Sequence, residues 1–149
     1  MTATPRTQLR KLTSPTTRQL PPALLTGVGV EIGLRVLRLP TLVRLLGISL
    51  WTIPGQRERH ASPADLGARD ASRYRAACHV LRLWPHGGRN GCLRLALIAG
   101  FLLRHRKPTL HLGVAQVGRQ TRAHAWISVD GMIFDPLADT YHPLTEPAG

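Results

Sequence analysis

The sequence is short of cysteine, of aromatic residues and of acidic charge, and each shortage removes a class of protein. Two cysteines, Cys78 and Cys92, cannot build a disulfide scaffold, and no signal-peptide pattern is in view, so a reduced, cytoplasmic protein is expected. Aromatic residues make up 5% of the chain and do not interleave the arginines, which argues against a stacking platform for single-stranded nucleic acid. No helix-turn-helix is evident either, so no specific nucleic-acid partner is expected. The longest uncharged apolar stretches, around Leu20–Val30 and Leu45–Ile53, are about half of the roughly 20 residues a membrane span requires. Gly87-Gly88 lacks the Lys-Ser/Thr of a nucleotide-binding loop. Cys78, His79, His86 and Cys92 match no common zinc spacing, so neither a metal nor a cofactor is expected.

What is present in excess is positive charge. Twenty Lys and Arg residues stand against eight Asp and Glu, for a net charge of +12. A surface of that kind attracts nucleic acid, anionic lipid or an acidic peptide, and charge alone does not choose among them. Apolar content of 43% over 149 residues supports one compact domain with a real core, plus a tail.

The chain divides into three parts. Residues 1–22 are rich in Thr, Pro, Arg and Lys, lack periodic apolar positions, and read as a disordered basic tail. Residues 23–61 hold Leu-rich helices and a polar linker. Val30, Leu34 and Leu37 recur at helical spacing, as do Leu42, Leu45, Leu46 and Leu50, and Pro40 separates the two runs or kinks one. These helices are expected to pack on the core, a partner or a peripheral membrane contact being the alternative. Residues 62–149 form the main domain. Ser62, Pro63 and Asp65 start a helix whose stripe is Tyr74, Ala77, Leu81 and Trp84, and Pro85-His86-Gly87-Gly88 stops it. Asn90 can cap a second helix over about Cys92–His105. Strands follow at Leu110–Val117 and Ala123–Val129, with Asp130-Gly131 as a hairpin turn. Helices first and a small antiparallel sheet afterwards is an α+β layout.

Three residues in this layout form a chemical constellation. Cys92 lies in the first turn of a helix, where unpaired N–H groups and the macrodipole favour a thiolate. A histidine takes the proton and a third group fixes the imidazole. If Asp130-Gly131 are the two turn residues, Val129 faces Met132 and Trp126 faces Asp135. His124, Trp126 and Asp135 then share one face, with Asp135 diagonal to His124 at about 7–8 Å between positions. An aspartate is short, so twist or a loosened register must close that bond. Asp130 belongs to the turn and is excluded from chemistry. Asp139 is second to Asp135 as the orienting carboxylate, because it lies beyond Pro136, where strand parity lapses. Taken singly, a helix-start cysteine is a small hydrophobe and a strand histidine is structural; the joint arrangement points to catalysis.

Cys92-Leu93, Leu102-Leu103-Arg104, Leu112-Gly113-Val114, Ala123-His124-Ala125-Trp126 and Asp130-Gly131 together resemble the lasso-peptide leader peptidases, cysteine proteases with a transglutaminase/papain-like core. The likeness covers about residues 74–145. It implies a peptidase that removes the leader from a ribosomally made precursor, assisted by a small leader-recognition protein and followed by a lasso cyclase. It also implies Cys92 as nucleophile, His124 as base and then acid, Asp135 as imidazole orienter, and Trp126 packed beside the site and its substrate. Two other readings remain open from the residues: a transglutaminase-like acyl transfer to an amine, and a non-catalytic basic module that binds nucleic acid or a protein.

Overall fold

A computed structural model describes residues 15–50, 58–84 and 91–144 of the chain. The architecture is α+β: of helices α1 (Pro15–Val36), α2 (Leu39–Leu45), α3 (Ala68–Leu83) and α4 (Gly91–Leu102), α4 packs on a six-stranded sheet, and α1 and α3 pack on α4 and on each other. The strands are β1 (Ser49–Leu50), β2 (Arg59–His60), β3 (Thr109–Val117), β4 (Gln120–Val129), β5 (Met132–Ile133) and β6 (His142–Pro143).

The first correction concerns the tail. Residues 15–22, expected within a disordered segment, form the first turns of α1, although Pro21 and Pro22 cannot donate backbone bonds there. Tertiary packing outweighs that weakness, as it does for most protein helices. Ala23, Val30 and partly buried Leu20 join the main core, and the Thr26 hydroxyl donates to the Pro22 carbonyl at 2.7 Å. Residues 1–14 of the expected tail lie outside the described residues, as do Pro54–Arg57 of the linker and the stop at Pro85–Gly88 with Asn90.

Pro40 separates two helices: it stands in the first turn of α2, where its missing N–H has no helical partner to lose. Gly33 lets α2 fold back closely, since a Cβ there would sit 2.5 Å from Leu42 Cδ1. Leu50, assigned by its spacing to the second helical run, lies instead in β1, because Gly47 turns the chain at φ +70° before it. The helix expected to start at Ser62 begins as a 3-10 turn, Pro63–Leu66, closed by a capping box between Ser62 and Asp65. Gly67 at φ +84° then redirects the backbone into α3.

The sheet is mixed rather than purely antiparallel. β3, β4 and β5 are antiparallel neighbours, while β1 pairs with β3 and β2 pairs with β5 in parallel. The outer edge of β3 is covered by β1 at one end and β6 at the other. One face carries Leu110, Ile127, Val129 and Met132 into the core under the helices, where Gly100 of α4 approaches Ile48 and Ile127. The opposite face carries Trp126 and Ile133 beneath Ala138 and Tyr141.

Candidate active site

The Asp130-Gly131 turn sets the site's register. Asp130 has φ 52° and Gly131 φ 72°, the left-handed pair that a two-residue hairpin of this twist needs. Val129 pairs with Met132 as that turn dictates, and Ser128 pairs with Ile133. The Asp130 carboxylate is taken up by the Arg106 guanidinium, in keeping with a turn role.

The ladder then ends, and its ending makes the site. Past Ile133 the chain leaves β4, so the β4 edge from Ile127 back to His124 has no β5 partner. Freed from strand geometry, Asp135 swings to His124, whose Nε2–H donates to Oδ2 at 2.7 Å. This is the loosened register that the short aspartate side chain demands. The other carboxylate oxygen, Oδ1, accepts the Leu137 backbone N–H at 2.8 Å, so the group is held from both sides. A carboxylate only accepts, so His124 carries its proton on Nε2 and presents Nδ1 as the basic nitrogen. Asp139 is bonded elsewhere, to His60 Nε2 at 2.8 Å.

A cavity of about 240 Å³ runs along the open β4 edge. Cys92, His124 and Asp135 all line it, with Trp126 among the walls. Cys92 is the second residue of α4, in its first turn, and is half-buried. The remaining wall is apolar: Leu81, Leu95, Ala96, Ala99 and the Tyr74 ring. Burial holds the Tyr74 phenol well above its usual range, with the Cys78 and Asp135 charges adding to the effect, so the hydroxyl stays protonated. Burial likewise pushes the Cys78 thiol up, against the pull of Arg82.

The imidazole is fixed in its plane by aromatic rings. Tyr141 stacks on His124 with centroids 4.8 Å apart, and Trp126 stacks at 5.9 Å. Gly113, directly opposite His124 in the register, makes the stack possible. A Cβ at that position would lie 2.9 Å from two Trp126 ring carbons and 2.9 Å from Tyr141 Cβ. Beyond Trp126 the stack continues to His111, 5.5 Å away and nearly parallel. His111 Nε2 lies 2.8 Å from Ser128 Oγ and 3.0 Å from Glu58 Oε1. One ring nitrogen cannot serve both groups well: the hydroxyl holds the formed bond, and Glu58 Oε1 is left without one among the described residues. Burial lowers the affinity of His111 for a second proton, and Glu58 opposes that. Trp126 Nε1 is buried without a hydrogen-bond partner among the described residues.

Tyr141, Tyr74 and the Glu58–His111 pair were not among the residues singled out for chemistry. Tyr141 follows a 3-10 turn, where no periodicity points to a partner, and Tyr74 reads as one more member of a buried stripe. Arg94, two residues after Cys92, donates through Nε to Glu31 Oε2 at 2.8 Å and so ties α4 to α1. That hydrogen bond, reinforced by the charges of Arg94 and Arg35, holds the Glu31 carboxyl below its ordinary range despite partial desolvation.

A family model described as transglutaminase-like superfamily (Transglut_core3) matches residues 35–146. No curated protein and no solved structure matches the chain.

Proposed function

The chain belongs to the transglutaminase-like superfamily, and from that membership we propose that it is a cysteine peptidase that removes the leader from a ribosomally made lasso-peptide precursor. The observation that carries the reading is the meeting of a helix-start thiol, an imidazole and an imidazole-bound carboxylate around one cavity. The superfamily's chemistry includes cysteine proteases and acyltransferases, which share this constellation. The resemblance of the Cys92, His124 and Trp126 segments to leader peptidases favours hydrolysis.

His124 Nδ1 takes the Cys92 proton, and the thiolate sulfur attacks the carbonyl carbon at the leader–core junction. Backbone N–H groups at the start of α4 stabilise the oxyanion. As the C–N bond breaks, the imidazolium returns its proton to the leaving amine, and the leader remains as a thioester on Cys92. Water then attacks, giving its proton to His124, and the C–S bond breaks to release the leader acid. Asp135 keeps Nε2 protonated throughout and stabilises the imidazolium. A ribosomal precursor places the reaction in the cytoplasm, with a small leader-recognition protein as delivering partner and a lasso cyclase as the user of the freed core.

The test uses purified protein with a precursor and recognition protein, wild type beside Cys92→Ala, read by mass spectrometry. Cleavage at one bond by the wild type alone is the expected result. An intact precursor in both lanes, with binding demonstrated, would overturn the reading in favour of a non-catalytic basic module. An added primary amine distinguishes acyl transfer, since a transferase yields an amide where a peptidase yields the acid.

A further inference from the structure

Helix α1 is apolar on both sides, and only one side is covered. Ala23, Thr26, Gly27, Val30 and Gly33 face the rest of the protein. The other side presents Leu25, Val28, Ile32 and Val36 at helical spacing, with Leu25 75%, Ile32 58% and Val36 74% exposed. A helix apolar all round is ordinarily buried, and monomeric proteins seldom leave a contiguous apolar patch of this length uncovered. At about 1.5 Å per residue, the 22 residues of α1 extend some 33 Å. Most of this helix, with Leu25, Val28 and Ile32 of the stripe, lies before residue 35, where the family match begins.

The charges around the stripe indicate what covers it. Residues 1–50 contain seven Arg and Lys residues against a single acid, Glu31, which is half of the chain's net charge of +12. Arg18, Arg35, Arg38 and Arg44 are exposed on α1, α2 and the turn between them. Glu31 is already engaged by Arg35 and Arg94. The stripe residues carry no hydrogen-bonding side chain, whereas a specific protein interface has roughly one hydrogen bond per 100–200 Å² to fix its register. A lipid surface needs no register: it takes apolar side chains below the headgroups and arginines beside its phosphates. Among the described residues no helix is long and apolar enough to cross a membrane.

We propose that the exposed face of α1 seats the protein on an anionic membrane surface, with Leu25, Val28, Ile32 and Val36 in the interface and the neighbouring arginines on the lipid phosphates. The attachment is peripheral and does not depend on the catalytic activity.

Co-sedimentation with vesicles tests it, using phosphatidylcholine alone and an equal mixture with phosphatidylglycerol. The full chain is expected to sediment with the mixed vesicles, weakly with the neutral ones, and less as salt rises. Val28→Asp with Ile32→Asp is expected to weaken binding at least about tenfold, because it puts two carboxylates into the stripe. Both positions face solvent, so thermal melting should be unchanged; should the double aspartate variant not fold, Val28→Ser with Ile32→Ser reads the same face. The proposal is overturned if anionic vesicles leave the wild type in solution, or if the serine or aspartate variants bind as well as the wild type. It is also overturned if analytical ultracentrifugation finds a dimer, lost in the variants, with no lipid binding, since the occupant is then a second copy.

Discussion

Asp135 has two donors to satisfy, and a single substitution separates its charge from its shape. His124 Nε2–H occupies one oxygen and the Leu137 N–H the other. An asparagine has one acceptor oxygen, so Asp135→Asn serves one donor and sets its own NH₂ against the second. Either the imidazole takes the wrong tautomer or the turn at Leu137 opens. The expected result is a fall in kcat of about 10²–10⁴ with the fold retained, measured as the cleavage rate beside a circular dichroism spectrum. An unchanged rate would remove Asp135 from the imidazole. Asp130-Gly131 made the start of this hairpin legible, but the expected pairing of Trp126 with Asp135 does not form: the ladder stops at Ile133, and Asp135 reaches His124 from outside the strand. The aromatic clamp was less legible. Trp126 belongs to the alternating pattern, but Tyr141 comes from beyond a proline and a 3-10 turn, and the need for Gly113 shows only when three side chains are seen to compete for one space.

At the scale of elements, the helices and the long hairpin were legible because each runs far enough to display its period. The strands that escaped, β1, β2 and β6, are two residues each, too short for any alternation, and exist because β3 and β5 offer edges, parallel to β1 and β2 and antiparallel to β6. The start of α1 escaped for the opposite reason: local preference argues against it and burial elsewhere overrides. That helix is bound to the cysteine-bearing helix through Glu31 and Arg94. Because the folded-state pKa of Glu31 is lowered, its ionised form favours the folded chain. The stabilisation is therefore complete above the unfolded carboxyl value of about 4.3 and is lost as pH falls through the lower folded value. Glu31→Gln keeps the shape without the charge. Its melting temperature should lie below that of the wild type at pH 7, and the two should converge in acid. A gap that does not narrow as the pH is lowered would mean that packing, not charge, holds the two helices together.

For the whole molecule, the dominant property is the field of a chain carrying +12. Fold class follows from element order, whereas charge bears on encounter: it raises the local concentration of acidic ligands and speeds association without specifying them. If an acidic leader or recognition protein is the partner, attraction acts over a distance that salt controls, roughly 10 Å at 0.1 M and 3 Å at 1 M. The association rate should then fall at least about tenfold between low and high salt, while dissociation, governed by short-range contacts, changes little. Stopped-flow or biosensor kinetics with the precursor and its recognition protein resolve the two rates. An association rate indifferent to salt would exclude the basic surface from partner capture. In that case the apolar cavity beside Cys92 would have to carry recognition, and affinity should respond to the side chains flanking the cleaved bond.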